Sequence, residues 1–205
     1  MSIDRRMFLG GSDVAAVLGI SKWATPYDVW LKKTGAEQPR FADKEKERFF
    51  ARRKQQEPFI ARMLEEEYGL VVTRLSLDED QNRYADAELP FLAAEIDFEF
   101  LMSPAVREHF PERQDFCAIP DGTLLNGEIK TVHPFASAEW GEQGSEEVPM
   151  YYATQILHGL GVTKRPAALC AALFGLDQLV CFPIMADQET IAAMRQRLRT
   201  FWFDN

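Results

Sequence analysis

The stretch of this chain richest in chemistry is Ile119-Pro120-Asp121-Gly122, followed by Gly127-Glu128-Ile129-Lys130-Thr131. Residues two apart on a strand point to the same face. Glu128 and Lys130 therefore stand side by side, while Ile129 points into a core. If Asp121 opens the same hairpin, its carboxylate approaches Glu128. Two converging carboxylates make a hard oxygen site suited to Mg2+ or Mn2+. A lysine beside them can hold or deprotonate a water next to the ion. The ion would stabilise the charge that develops on a phosphate, so these parts suffice for phosphodiester hydrolysis. On a strand, however, Glu-x-Lys is also a common solvated ion pair, and Asp-Gly is commonly just a turn.

The elements around this stretch can be read from punctuation and period. Ser12 or Asp13 can cap a short helix, DVAAVLG, that ends at Gly19, and Thr25-Pro26 opens a second, PYDVWLKKT, closed by Gly35. Residues 36–42 read as a linker. A long helix spans 43–68, with Phe49, Phe50, Ile60, Met63, Leu64 and Tyr68 near one face and Pro58 expected to kink or break it. After Gly69 the period becomes two. Strands are expected over 70–77, 91–101 and the part of 121–132 that follows the Asp-Gly turn. Residues 102–116 read as an insertion and 134–148 as a polar, mobile loop. A helix over 148–162, strands over 167–174 and 178–184, and a last helix capped by Asp187 complete the chain. The order specifies an α/β (α+β) domain with a mixed central β-sheet flanked by helices. It makes one unit of 1–205, helical to about residue 69 and sheet-bearing beyond.

Composition limits the classes. The 205 residues can bury about 70% of their unfolded surface, so no disulfide or structural metal is needed for a core. No run of 18 apolar residues occurs, which excludes a transmembrane helix and gives no membrane partner. The start, MSIDRRMFLGGSD, lacks the apolar centre of a secretory signal. With three scattered cysteines and no CxxC, this points to reduced thiols in a cytoplasm. The net charge is −9, from 23 Lys plus Arg against 32 Asp plus Glu, which opposes a protein that coats DNA. It leaves room for an enzyme that gathers a few cations in one groove. Trp23, Trp30, Tyr151 and Tyr152 are expected in the core rather than as base-stacking platforms. Arg48, Arg52, Arg53 and Lys54 form a basic run on the long helix, suited to a DNA backbone.

In order along nearly its whole length, the chain resembles the lambda-exonuclease-like (YqaJ-type viral recombinase) family of PD-(D/E)xK nucleases. Arg5 through Val14 looks like the family's R-x6-S element. LGISKWATPYDVWLKKTG matches the YqaJ branch. Arg52-Arg53-Lys54-Gln55-Gln56-Glu57-Pro58 looks like its RGxxxEP helix motif, with Arg53 where Gly is usual. IPDG and GEIKT match the nuclease core, and Tyr152-Ala153-Thr154-Gln155 matches a Y-x-x-Q helix motif. Several ordered matches are far more specific than any one alone.

The resemblance implies a restriction-endonuclease-like core of prokaryotic or phage origin. It implies a Mg2+- (or Mn2+-) dependent 5′→3′ exonuclease with two ions per site, acting on linear double-stranded DNA with 5′-phosphorylated ends. It further implies a homotrimeric ring and a single-strand-annealing recombination partner. Asp121 and Glu128 would be metal ligands, helped by the Ile129 carbonyl; Lys130 would position or activate the water. Glu57 would support a metal or its water, and Gln155 would orient Lys130 or the water. Arg5 and Ser12 would bind the 5′-phosphate, and Arg52 and Arg53 the backbone. The spacing from Asp121 to Glu128 is shorter than in many members. Asp97, in FLAAEIDFEF, is the alternative ligand; Asp121 is preferred because PDG directly precedes the ExK strand. If Asp97 is the ligand, residues 102–120 are an insertion in the hairpin and Asp121 is a turn residue. A Lys130 that must shed its proton predicts a rate rising into mildly alkaline pH. The rival readings are a restriction-like or repair endonuclease on the same core, and a DNA-end-binding module without catalysis.

Overall fold

The computed structural model describes residues 4–36, 44–75 and 83–204. The helices are α1 (Gly11–Val17), α2 (Pro26–Thr34), α3 (Lys44–Tyr68), α4 (Pro104–Glu108), α5 (Gln114–Cys117), α6 (Met150–Thr163) and α7 (Gln188–Asp204). The strands are β1 (Val71–Leu75), β2 (Arg83–Ala85), β3 (Ala93–Glu95), β4 (Phe98–Leu101), β5 (Leu124–Val132), β6 (Ala167–Phe174) and β7 (Gln178–Met185). Most of the linker at 36–42 and the end of the strand expected over 70–77 lie outside the described residues.

The main sheet runs β1-β4-β5-β6-β7, so β5 is its central strand. β5 and β6 are parallel, joined by a crossover through α6; the other neighbours are antiparallel. β6 is buried along its entire length, which explains its unbroken apolar run AALCAALF. β2 and β3 form a separate small ladder.

α3 packs its far half on the sheet. Ile60, Leu64 and Tyr68 recur at helical spacing, are buried, and join Phe98, Phe100, Leu125 and Ile129 in one cluster. Full burial of each such side chain stabilises by about 1.5–3 kcal/mol. The expected apolar face does not extend to the start of the helix: Phe49 and Phe50 are exposed. Nor does Pro58 end it, since α3 continues to Tyr68. The opposite face of the sheet holds α6, whose Ile156 and Leu160 pack on Ala168, Cys170 and Ala172.

Residues 102–116 lie within the connection inserted between β4 and β5, as expected, and α4, α5 and their join bury Val106, Phe110 and Phe116 in the main core. One sequence expectation fails here for packing reasons. The segment expected as one strand over 91–101 is two strands in two sheets. The chain passes from the small ladder to the main sheet at Ile96-Asp97, with Ile96 in one core cluster and Phe98 in another. Within the polar segment 134–148, Pro134–Glu139 forms a 3-10 helix whose first turn is capped by the His133 side chain.

Gly127 shows how closely the site strand is built. A Cβ there would lie 2.2 Å from the ring of Phe98, itself fully buried. Gly127→Ala is expected to cost about 1–3 kcal/mol as the ring is forced aside, read as a lower midpoint in urea unfolding at unchanged slope.

Buried ion pairs fasten the margins of the sheet. Asp86, only 2% exposed, accepts both terminal nitrogens of Arg195 from α7. Arg165 donates to Glu99 on β4 at 2.8 Å, to Asn126 on β5 at 2.7 Å and to Tyr84 on β2 at 3.1 Å. Such charges are tolerated inside because each is paired and hydrogen-bonded.

Candidate active site

Side chains of β5 alternate between the two sheet faces. Glu128 and Lys130 share the α6 face, and Ile129 enters the core opposite, as the spacing requires. Lys130 Nζ donates to Glu128 Oε1 and, at 3.3 Å, to Gln155 Oε1; Gln155 Nε2 also donates to Glu128. Gln155 and Tyr152 lie one turn apart on α6, so both look onto β5. The Lys130 ammonium is 4.9 Å from the Tyr152 ring centroid, within cation–π range. The Y-x-x-Q spacing thus places an amide and a ring over the same lysine.

The acidic partner of Glu128 is Asp97. β4 begins at Phe98, which pairs with Gly127, so the outward N–H of Ile129 finds no strand partner. The Asp97 carboxylate accepts that N–H at 2.8 Å. In an antiparallel pairing, the N–H and C=O of one residue point to the same side. The Ile129 carbonyl therefore opens on the side where Asp97 lies.

Asp121 lies elsewhere, which corrects the expectation that it converges with Glu128. β4 and β5 pair antiparallel, with Leu101 opposite Leu124, and Asp121 sits beyond that far end. Four strand steps from Leu124 to Glu128 span about 13 Å. Asp121 is 59% exposed and accepts from Arg107, which also donates to the carbonyls of Ile119 and Cys117. Asp121 is a turn residue, and residues 102–120 are carried within the hairpin.

Glu57 reaches the cluster from α3. It stands one turn before Ile60 and two before Leu64, on the same helix face but past the edge of the apolar core. Its Oε2 is buried with no hydrogen-bond partner. Burial, and then the charge of Asp97, push its carboxyl up to about 7, against the pull of Lys54 and Lys130. Glu128 is likewise pushed up to about 7, chiefly by burial and then by Asp97, with Lys130 opposing. Burial alone would lower Lys130, but the charges of Glu128 and Asp97 outweigh it and hold the ammonium protonated. The ammonium is placed to donate to Glu128 and Gln155.

The three carboxyls of Glu57, Asp97 and Glu128 therefore outnumber the two ammonium groups, Lys54 and Lys130, that bear on them. An orphaned buried carboxylate oxygen, and carboxyls whose charge is penalised, fit a divalent cation with hard oxygen ligands. Among the described residues no three ligating side chains already close round a common point. Mg2+ suits such an open arrangement, because it keeps several waters and uses one or two carboxylates.

Arg5 and Ser12 flank this cluster at the start of the chain. Arg5 lies in a 3-10 turn, 3.7 Å from Glu95, two residues before Asp97; Arg83 approaches the same carboxylate at 3.6 Å. Ser12 is exposed at the second position of α1. The neighbouring Gly11 lets α1 close on α6, since a Cβ there would meet Gln155 Cγ at 3.0 Å. Arg52 is exposed on α3, and the Arg53 guanidinium lies 4.3 Å from the Phe49 ring centroid. Tyr152, matched in the Y-x-x-Q motif but expected in the core, lies over Lys130 instead, and no sequence signal marked Glu95 or Arg83. Trp23, likewise expected in the core, is 68% exposed.

The fold is a mixed α/β core, a five-stranded sheet flanked by helices with a Glu-x-Lys pair on its central strand. Residues 3–166 match the model of the YqaJ-like viral recombinase domain, and the chain belongs to that family. It is 28% identical over 204 residues to the uncharacterized protein YqaJ of Bacillus subtilis (strain 168), covering 98% of this chain and 54% of that protein. The chain thus spans about half the length of that relative. Its fold is similar to that of an alkaline exonuclease from Laribacter hongkongensis, with a TM-score of 0.60 at 16% identity over 98% of this chain and 88% of the other. For that exonuclease in complex with dAMP the TM-score is 0.65, at the same identity and coverage. Among the described residues no helix is long and apolar enough to cross a membrane.

Proposed function

We propose that this chain is a Mg2+-dependent exonuclease that degrades one strand of linear double-stranded DNA 5′→3′ to mononucleotides. The product would carry a 3′ single-stranded overhang for annealing. The observation that carries this reading is the grouping of Glu57, Asp97, Glu128, Lys130 and Gln155 about residues 128–130 of the central strand. The Laribacter enzyme bound to dAMP fits a deoxynucleoside monophosphate as the product class.

Asp97, Glu128 and the Ile129 carbonyl would hold the ion or ions, with Glu57 binding one or its water. A divalent ion there supplies Lewis acidity and a water of lowered pKa. Lys130, kept charged, donates to the attacking water or a phosphate oxygen, and Gln155 fixes it against Glu128. The water attacks phosphorus and the bond to the 3′-oxygen breaks. That leaves a 3′-hydroxyl on the released nucleotide and a new 5′-phosphate on the strand. Arg5 and Ser12 would receive that 5′-phosphate, Arg5 through a forked pair of donors, and Arg52 and Arg53 would follow the backbone. The whole of 1–205 would act as one cytoplasmic nuclease unit in a homotrimeric ring, serving a single-strand-annealing protein. A ring would let cations line a channel while the outside stays acidic.

The test is linear duplex DNA phosphorylated at one 5′ end, incubated with Mg2+ or EDTA, beside closed circles and the Lys130→Ala protein. Mononucleotides should come from the phosphorylated strand alone, need the ion, and fall by about 10²-fold or more in the variant. Cut circles would replace the exonuclease by an endonuclease. Bound but uncut ends in every metal would leave an end-binding module.

A further inference from the structure

Trp23 is the feature this mechanism does not use. A tryptophan left 68% exposed forgoes the burial that its large ring could gain. Its loop is nonetheless well fixed. Ser21 Oγ accepts from the backbone N–H of Trp23 at 3.1 Å and of Ala24 at 3.3 Å, and Thr25 then caps α2. The indole stands edge-to-face with Tyr151, centroids 4.8 Å apart, and 6.3 Å from Tyr152. Tyr152 is the ring over which Lys130 lies. Lys22 pairs with Glu139, which also accepts from the Tyr151 hydroxyl at 3.1 Å, so the supporting ring is braced from behind. An open aromatic surface is thereby held two ring contacts from the Lys130 ammonium. At about 3.4 Å per stacked nucleotide, that is on the order of one to three nucleotides along a strand.

Resting on the nuclease reading above, we propose that Trp23 is a positioning residue on which a base near the scissile phosphate stacks. Stacking suits this place because every base has a π-face. An enzyme that consumes a strand base by base must hold each in turn, and hydrogen-bonding side chains would favour some bases over others. The Lys22–Glu139 pair and the Tyr151 hydroxyl keep the ring behind the indole from turning away.

The test uses the full chain in EDTA, where binding is read without cutting. The probes are 5′-phosphorylated oligonucleotides with a single abasic site moved through the first nucleotides. Wild type should lose about tenfold in affinity when the abasic site falls at one position. Trp23→Ala should lose about tenfold on intact DNA and nothing further at that position, while Trp23→Phe keeps most of the affinity. A merely structural role would leave the abasic penalty in place. The proposal is overturned if Trp23→Ala binds intact DNA like wild type, or still loses affinity at the same abasic position. In either case wild type continues to cut linear DNA with Mg2+ and the nuclease reading stands. Wild type that neither binds nor cuts DNA removes both.

Discussion

Asp97→Asn is expected to slow digestion of linear duplex DNA by about 10²–10³-fold, while Asp121→Asn leaves the rate within about twofold. The difference follows from where the two carboxylates point. Asp97 caps the Ile129 N–H beside Glu128, and its charge bears on Glu57, Glu128 and Lys130. The amide of asparagine keeps the shape but removes the charge an ion needs. Asp121 instead closes an exposed turn against Arg107, at the other end of the hairpin. Exposed pairs of this kind contribute about 0–1 kcal/mol, so its loss should register weakly in stability and not in rate. Single-turnover rates on one defined duplex would separate the two. Equal loss in both variants would overturn the assignment of Asp97.

Glu57→Gln should have opposite effects on cutting and on stability. The Glu57 and Glu128 carboxyls are raised to about 7 from an ordinary 4.5, by burial and then by Asp97. A carboxyl raised on folding binds more protons in the native state than in the unfolded one. Its stabilising contribution is therefore full below about pH 4.5 and is lost as pH climbs through about 7. His158 acts in the opposite sense. Burial lowers its pKa from 6.5, so stability is lost as pH falls through that ordinary value. Comparing Glu57→Gln with wild type cancels the histidine. Without metal, the variant should melt higher at pH 8 and nearly equally at pH 5. Partial exposure of Glu57 to water holds the gain to about 1 kcal/mol, or about 2–4 °C in Tm for a chain this long. The same linkage makes ion binding release protons. Mg2+ affinity of wild type should rise about tenfold or more between pH 6 and 8, and less steeply in the variant. Cutting by Glu57→Gln should fall by about 10²-fold. A Tm unchanged at pH 8, or an ion affinity flat with pH, would show that Glu57 does not carry the strained charge.

Much of the fold could be read directly from the residues. β6 is an unbroken apolar run because both its faces are covered, and the helix caps at Thr25 and Gly35 stand where the sequence puts them. Glu128 and Lys130 share a face because strands alternate, and Gln155 looks onto them because residues one turn apart on a helix share a side. These are local periodicities, and local backbone geometry enforces them. The choice between Asp97 and Asp121 is of another kind. Both precede apolar β sequence, but the hairpin between them turns back on itself, so the acid nearer in sequence to Glu128 lies at the far end. The change of sheet at Ile96-Asp97 left no mark in the apolar pattern, because residues on both sides of it are buried. The pairing of Asp86 with Arg195 joins residues far apart in the chain, and the exposure of Trp23 depends on which elements happen to surround its loop. The sequence by itself determined the longer helices, most of the main-sheet strands and the Glu-x-Lys pair. Only the tertiary structure decided which acid joins that pair and which aromatic stands open beside it, because such contacts depend on how the strands and helices assemble and not on any period along the chain.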